Sequence, residues 1–177
     1  MAKGDLVQAA YDQIAARGFE GLRTREVAAA AGVNIATLHY YFPTKESLIR
    51  AVLEHAMGRF RSTLGGGPDL RQHLRAVRQL LRDEPKLSAV MAELSLRSSR
   101  DPAIAAILSE TYAGWHKTMR GMLRNAVRQG QLRPELDTDD VAAAVMATVS
   151  ALMLPTLAGS PVADQALQQL ETWLSIN

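Results

Sequence analysis

The chain has 177 residues, contains no cysteine and is poor in aromatic residues, which make up 5% of it. The lack of cysteine excludes disulfide bonds, thiolate metal sites and a cysteine nucleophile, and it fits a cytoplasmic protein. The first ten residues, MAKGDLVQAA, lack the apolar core of a secretory signal peptide. No stretch alternates polar and apolar residues with a period of two, so we expect no β-sheet.

The sequence signatures of common enzymes are also missing. The four histidines are scattered, and there is no HExxH zinc motif, no glycine-rich phosphate loop and no nucleophile-elbow sequence. The acidic group Asp137, Asp139 and Asp140 is interpreted as a helix cap and first helical turn. We therefore expect a protein that is not an enzyme and that uses no metal and no cofactor.

One segment, 141–158, carries no charge over its whole length (VAAAVMATVSALMLPTLA). A membrane-spanning helix needs about twenty apolar residues, and much of this segment is alanine, with threonine, serine and proline included. We interpret it as a helix buried on most sides and not as a membrane span. Its small residues, among them Ala143, Ala147 and Ala151, would let another helix approach closely.

Composition favours one compact domain, or a small domain joined to a modest second one. Hydrophobic residues make up 47% of the chain, and the net charge of +2 permits nucleic-acid binding without indicating it. The sequence GGGP at 65–68 is the clearest linker. Apolar periodicity predicts helices over 5–17, 24–31, 35–41, 45–64, 69–83, 86–99, 101–129, 137–157 and 161–175.

The run TREVAAAAGVNIATLHYYFPTK, residues 24–45, predicts two short helices joined by a glycine-centred turn. Thr24 is expected to cap the first helix and Asn34 the second, while Thr44 is expected to cap the helix that follows. Gly32 comes after the last residue of the first helix, where a left-handed backbone conformation favours glycine.

The second of these short helices separates apolar from polar side chains. At about 100° per residue, Leu38 and Phe42 share the face that points to the core. Ala36 and Tyr40 then point almost directly away from the core, with His39 at the side. A short helix that presents polar and aromatic groups to solvent just after a tight turn is typical of a protein that reads a DNA groove.

The sequence GFEGLRTREVAAAAGVNIATLHYYFPTKESLIRAVLEHA resembles the DNA-binding domain of the TetR family of bacterial transcriptional regulators. Residues 5–17 resemble the first helix of that domain, so the detailed match covers roughly the first third of the chain. The resemblance implies an all-α fold with a three-helix helix-turn-helix domain at 1–47 and a helical ligand-binding and dimerisation domain at 48–177. His39 departs from the family, many members of which carry tyrosine there; we expect changed local hydrogen bonding and the same docking mode.

The resemblance further implies a homodimeric repressor that leaves a palindromic operator when it binds a small apolar or amphipathic effector. Two alternatives stay open: a transcriptional activator of the same family, and a helical adaptor or structural protein that has lost DNA binding. The DNA contacts of the family fall on Thr24, Arg25, Ile35, Ala36, Thr37, His39, Tyr40, Tyr41 and Lys45.

Side-chain chemistry divides these DNA-contact candidates. Arg25 can donate two hydrogen bonds to guanine O6 and N7, or it could instead form a salt bridge to Glu26. Ala36 and Tyr40 offer apolar contact to a thymine methyl group. The hydroxyl of Thr37 could instead bond within its own helix. The groups suited to phosphate oxygens, which fix the register without reading sequence, belong to Thr24, His39, Tyr41 and Lys45.

For the second domain, the resemblance implies an effector pocket and a dimer interface made of two helices from each subunit. An apolar stripe along 101–129 and a set of adaptable methionines suggest the pocket lining, and each of these residues could equally fill an ordinary core. The pocket candidates are Met91, Tyr112, Trp115, His116 and Met119, with His55 and Glu93 as further polar candidates. The dimer candidates are Ala143, Ala147, Ala151, Leu167, Leu170 and Trp173.

Overall fold

The computed structural model describes residues 2–63 and 70–174, which form nine α-helices and no β-strand. The all-α prediction is therefore confirmed, and no helix within the same residues is long and apolar enough to cross a bilayer. A short 3₁₀ turn, Phe19–Gly21, follows the first helix. The α-helices are α1 (Ala2–Arg17), α2 (Thr24–Ala30), α3 (Ile35–Tyr41), α4 (Lys45–Thr63), α5 (Leu70–Asp83), α6 (Pro85–Ser98), α7 (Pro102–Arg128), α8 (Thr138–Leu152) and α9 (Pro161–Leu174).

The chain divides into two compact units, and each unit combines segments that are distant in sequence. The first unit comprises Met1–Gly58 and Lys86–Ser109, so it joins α1, α2 and α3 with α6. The second unit comprises Arg59–Pro85 and Glu110–Asn177, and it holds α5, α8 and α9. Helices α4 and α7 each contribute residues to both units. The domain boundary after residue 47 stays a prediction.

Apolar side chains at helical spacing hold the first unit together. Leu6, Ala10 and Ile14 lie on one side of α1 and are fully buried, because residues four apart share a helix face. Burying a leucine or isoleucine side chain stabilises a fold by about 1.5–3 kcal/mol. The other helices of this unit bury Val27, Leu38, Phe42, Leu48, Val52, Leu53, Leu87, Val90 and Leu94.

Helix α1 ends at a glycine that no other residue could replace without strain. Gly18 has a φ of 69°, and its N–H donates to the carbonyl of Ile14 at 2.9 Å. The next N–H, that of Phe19, donates to Glu93 Oε2 of α6 at 3.0 Å. A Cβ added at Gly18 would lie 2.9 Å from the same carboxylate oxygen. Glycine thus permits both the left-handed turn and the close approach of the Glu93 carboxylate.

Ion pairs between helices supplement the apolar core of the second unit. Arg78 and Arg82 of α5 both bind the carboxylate of Asp164 on α9. Arg120 of α7 binds Asp139 in the first turn of α8, with 3.0 Å between Nη1 and Oδ1. Because these pairs are partly exposed, each contributes modestly to stability. The buried apolar side chains of this unit include Leu74, Val77, Leu81, Met119, Leu123, Val145, Val149 and Leu167.

The predicted end of α8 needs correction. This helix ends at Leu152 and not at 157, and turns and bends follow it through residue 160. Pro155 accounts for the difference, since proline lacks the N–H of a helical hydrogen bond and disfavours helical geometry in the residue before it. The predicted cap at the start is confirmed, because Asp137 accepts the backbone N–H groups of residues 139 and 140. The linker predicted at 65–68 lies outside the described residues.

Within one subunit, helix α8 is covered along one face only, so burial on most sides stays a prediction that requires a second protein surface. Ala142 and Val145 are buried within the subunit. Ala143, Ala147 and Ala151 are exposed there, although none of them carries a polar side chain. From residue 141 onward this helix carries no charged side chain, and an exposed face of that kind is typical of a surface that another protein covers.

We expect Gly18→Ala to lower the free energy of unfolding by about 2 kcal/mol, because a left-handed alanine is strained and the Glu93 carboxylate must move away from the Phe19 N–H. Gly4→Ala is the matched control. Gly4 lies in α1, a Cβ there would meet nothing within 4 Å, and alanine should raise the free energy of unfolding by up to about 1 kcal/mol. Urea denaturation followed by circular dichroism at one protein concentration measures both. Equal stability of the two variants would contradict the role assigned to Gly18.

Candidate nucleic-acid interface

Helix α2 and the turn after it have the geometry expected from their small residues. Val27 and Ala28 are buried on the inner face of α2. The backbone of Gly32 has a φ of 68°, and the N–H of Val33 donates to the carbonyl of Ala28 at 3.0 Å. The left-handed turn predicted at Gly32 is therefore confirmed.

The predicted cap of α2 by Thr24 is wrong. Thr24 is already the first helical residue, and Arg23 occupies the cap position without a side-chain cap hydrogen bond. The N–H of Arg23 donates to the side-chain oxygen of Gln13 on α1 at 3.2 Å. This bond holds the start of α2 against α1, and α2 begins at Thr24 as the range 24–31 predicted, with Arg23 in place of Thr24 at the cap position.

The cap predicted for α3 is confirmed. Asn34 Oδ1 accepts the backbone N–H of Thr37 at 2.8 Å and the hydroxyl of the same residue at 3.0 Å. Both bonds fix the first turn of a helix that has only seven residues. Since the Thr37 hydroxyl donates its proton to Asn34, it can meet a further group only as an acceptor.

Helix α3 divides into the two faces that its sequence predicts. Leu38 and Phe42 are 1% and 3% exposed, whereas Tyr40 is 80% exposed. The ring centroids of Tyr40 and Tyr41 lie 5.2 Å apart with an interplanar angle of 77°, so the two phenols form an edge-to-face pair. Ala36 and His39 are exposed, and the remaining candidates on this helix, Ile35 and Thr37, are partly exposed.

The start of α4 carries Lys45 next to a reciprocal cap. The N–H of Ser47 donates to Thr44 Oγ1 at 3.1 Å, and the N–H of Thr44 donates to Ser47 Oγ at 3.3 Å. The predicted cap by Thr44 is thus confirmed. Lys45 Nζ lies 4.5 Å from the centroid of the Phe19 ring. A cation–π contact therefore holds this ammonium group close to the protein while leaving it without a carboxylate partner among the described residues.

Arg25 does not form the salt bridge to Glu26 that the sequence offered as an alternative to DNA contact. Glu26 Oε2 instead binds Arg17 Nη1 of α1 at 2.6 Å. The side chain of Arg25 is exposed, and no ion pair involves it within the described part of the chain. Its guanidinium group therefore keeps its donors available to a ligand.

The candidates for the effector pocket lie in different units. Met91 is buried in the first unit, and Trp115 and Met119 are buried on α7 in the second. Tyr112 and His116 are partly exposed on the same helix. The rings of Tyr112 and Trp115 have centroids 6.2 Å apart.

The dimer candidates also differ in exposure. Trp173 is 63% exposed, Leu170 is partly exposed, and the three alanines of α8 are exposed. Leu167 is 2% exposed and belongs to the core of its own subunit. Around Trp173, α9 and Thr148 of α8 line an open groove of about 770 Å³.

Sequence reasoning did not predict that α6 packs in the first unit and bonds to the segment after α1. Glu93 and His55 were candidates for the effector pocket, but Glu93 accepts the Phe19 N–H, and His55 forms an edge-to-face contact with Tyr11 at 5.3 Å between ring centroids. Phe19 and Glu93 are 74 positions apart. Neither helical periodicity nor a local motif pairs residues at that separation.

Comparisons with known proteins agree with this architecture. Residues 6–52 match a family model described as "Bacterial regulatory proteins, tetR family", and residues 67–170 match "Tetracyclin repressor-like, C-terminal domain". The HTH-type transcriptional regulator UidR of Escherichia coli (strain K12) is 23% identical over 137 residues, which cover 75% of this chain and 70% of UidR. For RutR of the same strain, also an HTH-type transcriptional regulator, the identity is 28% over 143 residues, 75% of this chain and 65% of RutR. A crystal structure from Rhodococcus sp., described as a TetR-family transcriptional regulator, has a TM-score of 0.83 and 27% identity, covering 97% of this chain and 95% of that one.

Proposed function

The chain belongs to the TetR family of bacterial regulatory proteins and is a DNA-binding transcriptional regulator, and we propose that two copies of it repress transcription by holding a palindromic operator through their α3 helices. Regulators of this family bind operator DNA, dimerise and respond to small-molecule effectors. For this chain we propose an apolar or amphipathic effector whose binding releases the operator. Because the target is bacterial DNA, the site of action is the cytoplasm.

The observation that carries the proposal is the exposed face of α3. Tyr40 is 80% exposed and pairs edge to face with the exposed Tyr41, so the two rings form an aromatic patch of the kind that marks a binding surface. The buried Leu38 and Phe42 and the Asn34 cap hold this face in one orientation. A helix fixed in this way can enter the major groove without first becoming ordered.

Each candidate side chain receives a role from its chemistry and its surroundings. Arg25, unpaired within the described residues, is assigned to guanine O6 and N7. Ala36 and Tyr40 are assigned to apolar base edges. Contacts to phosphate oxygens are assigned to Thr24, His39, Tyr41 and Lys45. Ile35 and Thr37 are assigned to contacts that flank the groove, since the Thr37 hydroxyl already donates to Asn34.

The exposed apolar surface of α8 and α9 supports the dimer. On α8 the exposed alanines leave room for a close helix neighbour, and on α9 Val162 and Trp173 are 56% and 63% exposed. The polar side chains that line the groove beside them are uncharged glutamines and threonines. Two copies related by a two-fold axis would form a four-helix bundle from these faces and bring two α3 helices to successive major grooves, about 34–36 Å apart.

The effector site is proposed along α7, where Trp115 and Met119 are buried and Tyr112 and His116 reach solvent in part. Met91 of α6 stays a candidate. An effector must prefer the operator-free form by a few kcal/mol to empty an occupied operator. A compound that raises the unfolding midpoint yet leaves operator affinity unchanged is therefore not the effector.

The test of DNA reading is selection of bound duplexes from a randomised pool by the full-length protein. We expect enrichment of an inverted repeat whose half-sites are one helical turn apart, because two α3 helices read equivalent sequences. An absence of any enriched sequence would reject the proposed function and favour an adaptor. The enriched duplex is called the selected duplex below.

Arg25→Ala should weaken binding to the selected duplex by about 1–3 kcal/mol and relax the preference at one base position of each half-site. Arg25→Lys is the matched variant, since it retains the positive charge but not the fork, and it should lose the base preference while keeping the salt dependence. Fluorescence anisotropy on the selected duplex and its single-base variants measures both. Equal losses on selected and random duplexes would contradict base reading by Arg25.

Lys45→Ala should weaken binding to the selected and random duplexes by similar factors, because a phosphate contact carries no sequence information. The slope of log K against log salt concentration should become shallower by about one ion. Titrations at four or more salt concentrations give this slope. Lys117→Ala, which removes an exposed lysine on α7, is the control and should leave the slope unchanged.

Trp173→Glu should raise the dissociation constant of the dimer at least about thirtyfold, because the two-fold axis places the substitution in the interface twice and buries charge. Leu96→Glu provides the control, since Leu96 is 64% exposed but lies on α6. Sedimentation velocity over a range of protein concentrations separates dimer from monomer. The assignment of the α8 and α9 face fails if both variants sediment like the wild type.

A further inference from the structure

Helix α6 makes a charge-assisted hydrogen bond to the joint between α1 and α2. The donor is the part-buried N–H of Phe19, and the acceptor is Glu93 Oε2 at 3.0 Å. An ionised acceptor makes such a bond roughly twice as strong as a neutral one. Because Gly18 has no Cβ, the carboxylate lies directly against the backbone of the joint.

The ring of Phe19 extends this contact to α4. Phe19 is 5% exposed, and the guanidinium carbon of Arg97 on α6 lies 4.9 Å from its centroid. Lys45 Nζ, at the first residue of α4, lies 4.5 Å from the same centroid. Arg97 Nη1 also binds Glu20 Oε1 at 2.6 Å. One aromatic ring therefore contacts both a side chain of α6 and a residue assigned to phosphate.

A third contact joins α6 to α1 near the other end of α6. Lys86 Nζ lies 2.7 Å from Asp12 Oδ1. Partial burial raises the pKa of Asp12, but the hydrogen bonds from Lys86 and Gln8 and the charges of Lys86 and His55 outweigh burial and leave that pKa below its ordinary value. The pair is largely exposed, so it holds α6 against α1 more weakly than the part-buried bond of Glu93 does.

The contacts of Glu93 and Arg97 converge on the turn between α1 and α2, which sets the orientation of α3. Within the first unit α1 packs against both α2 and α3. The turn Phe19–Gly21 connects α1 to α2. A shift of this turn would change the angle at which α2 leaves α1, and α3 would move with α2 because the two helices pack together.

We propose that Glu93 is a positioning residue for DNA reading, assisted by Arg97: its carboxylate holds the Gly18–Phe19 backbone and thereby fixes the angle of α3. The inference rests on the proposed DNA-binding function and adds a residue of α6 that touches no DNA. Glu93 lies within residues 67–170, the part of the chain that matches the C-terminal family model. A residue outside the segment 6–52 that matches the helix-turn-helix model thus controls the geometry of the helix-turn-helix.

The test compares Glu93→Ala with Glu93→Gln in the full-length protein, on the selected duplex and on a random duplex. We expect Glu93→Ala to bind the selected duplex about tenfold more weakly, because a tilted α3 loses base contacts that depend on angle. Binding to the random duplex should change less than about twofold, since phosphate contacts tolerate small shifts. Glu93→Gln should restore most of the loss, because its amide oxygen can accept the Phe19 N–H.

Gly18→Ala should also break the bond between Glu93 and the Phe19 N–H, since the added Cβ would push the Glu93 carboxylate away. It should produce a similar loss of sequence preference, and the double variant with Glu93→Ala should lose little more than either single variant. Glu135→Ala, at an exposed acid outside the first unit, is the matched control and should bind like the wild type. All affinities are measured at a temperature where circular dichroism shows each variant fully folded.

Three outcomes separate the possibilities. Unchanged sequence preference in folded Glu93→Ala overturns the positioning role. Equal losses on both duplexes also overturn it, since a smaller fraction of active protein lowers every affinity alike. A wild-type protein that prefers no duplex sequence rejects the proposed function itself, independently of Glu93. Hydrogen exchange of the Phe19 amide gives a direct readout without DNA, and it should accelerate in Glu93→Ala but not in Glu93→Gln.

Discussion

The burial of Leu38 and Phe42 beneath α3 is the constraint on which the whole proposed DNA-binding surface depends. These side chains are four residues apart, so together they fix the rotation of the helix about its axis and turn Tyr40 to solvent. A helix of seven residues is too short to be stable alone. Its order comes from this packing, from the Asn34 cap and from the turn at Gly32. Apolar contacts thus determine which polar groups the protein presents.

The distribution of ion pairs then determines which cations remain available. Glu26 is bound by Arg17, Glu20 by Arg97, and Asp12 by Lys86. Exposed pairs of this kind add little stability. Their larger effect is on the local potential, because they neutralise arginines and lysines away from α3 while Arg25 keeps its charge unpaired within the described residues. A chain with a net charge of only +2 can therefore still present positive charge on the surface proposed to meet DNA.

Much of the helix-turn-helix could be predicted from sequence because its turns and caps bond to nearby residues. The long-range contacts could not be predicted in this way. Gly32 and Asn34 act on backbone groups within five residues, so their roles can be read from neighbours in the chain. The Thr24 cap was wrong because Thr24 is itself helical and Arg23 takes the cap position, where its N–H bonds to Gln13 of α1, 10 residues away in sequence. The end of α8 was predicted too late because the apolar pattern continues past Leu152 into a segment that Pro155 makes non-helical. The bond between Glu93 and Phe19 joins residues that only the tertiary fold brings together.

The placement of α6 bears on how regulators of this kind can be recombined. A chimera that fuses the first 58 residues of this chain to the sensing part of a relative would take α6 from the relative, although α6 belongs to the same compact unit as α1–α3. The foreign α6 would need an acid where Glu93 stands, and an apolar face that fits where Leu87, Val90 and Leu94 are buried. A transplant that keeps Lys86–Ser109 with Met1–Gly58 preserves these contacts. The practical module for exchanging operator specificity is therefore discontinuous in sequence.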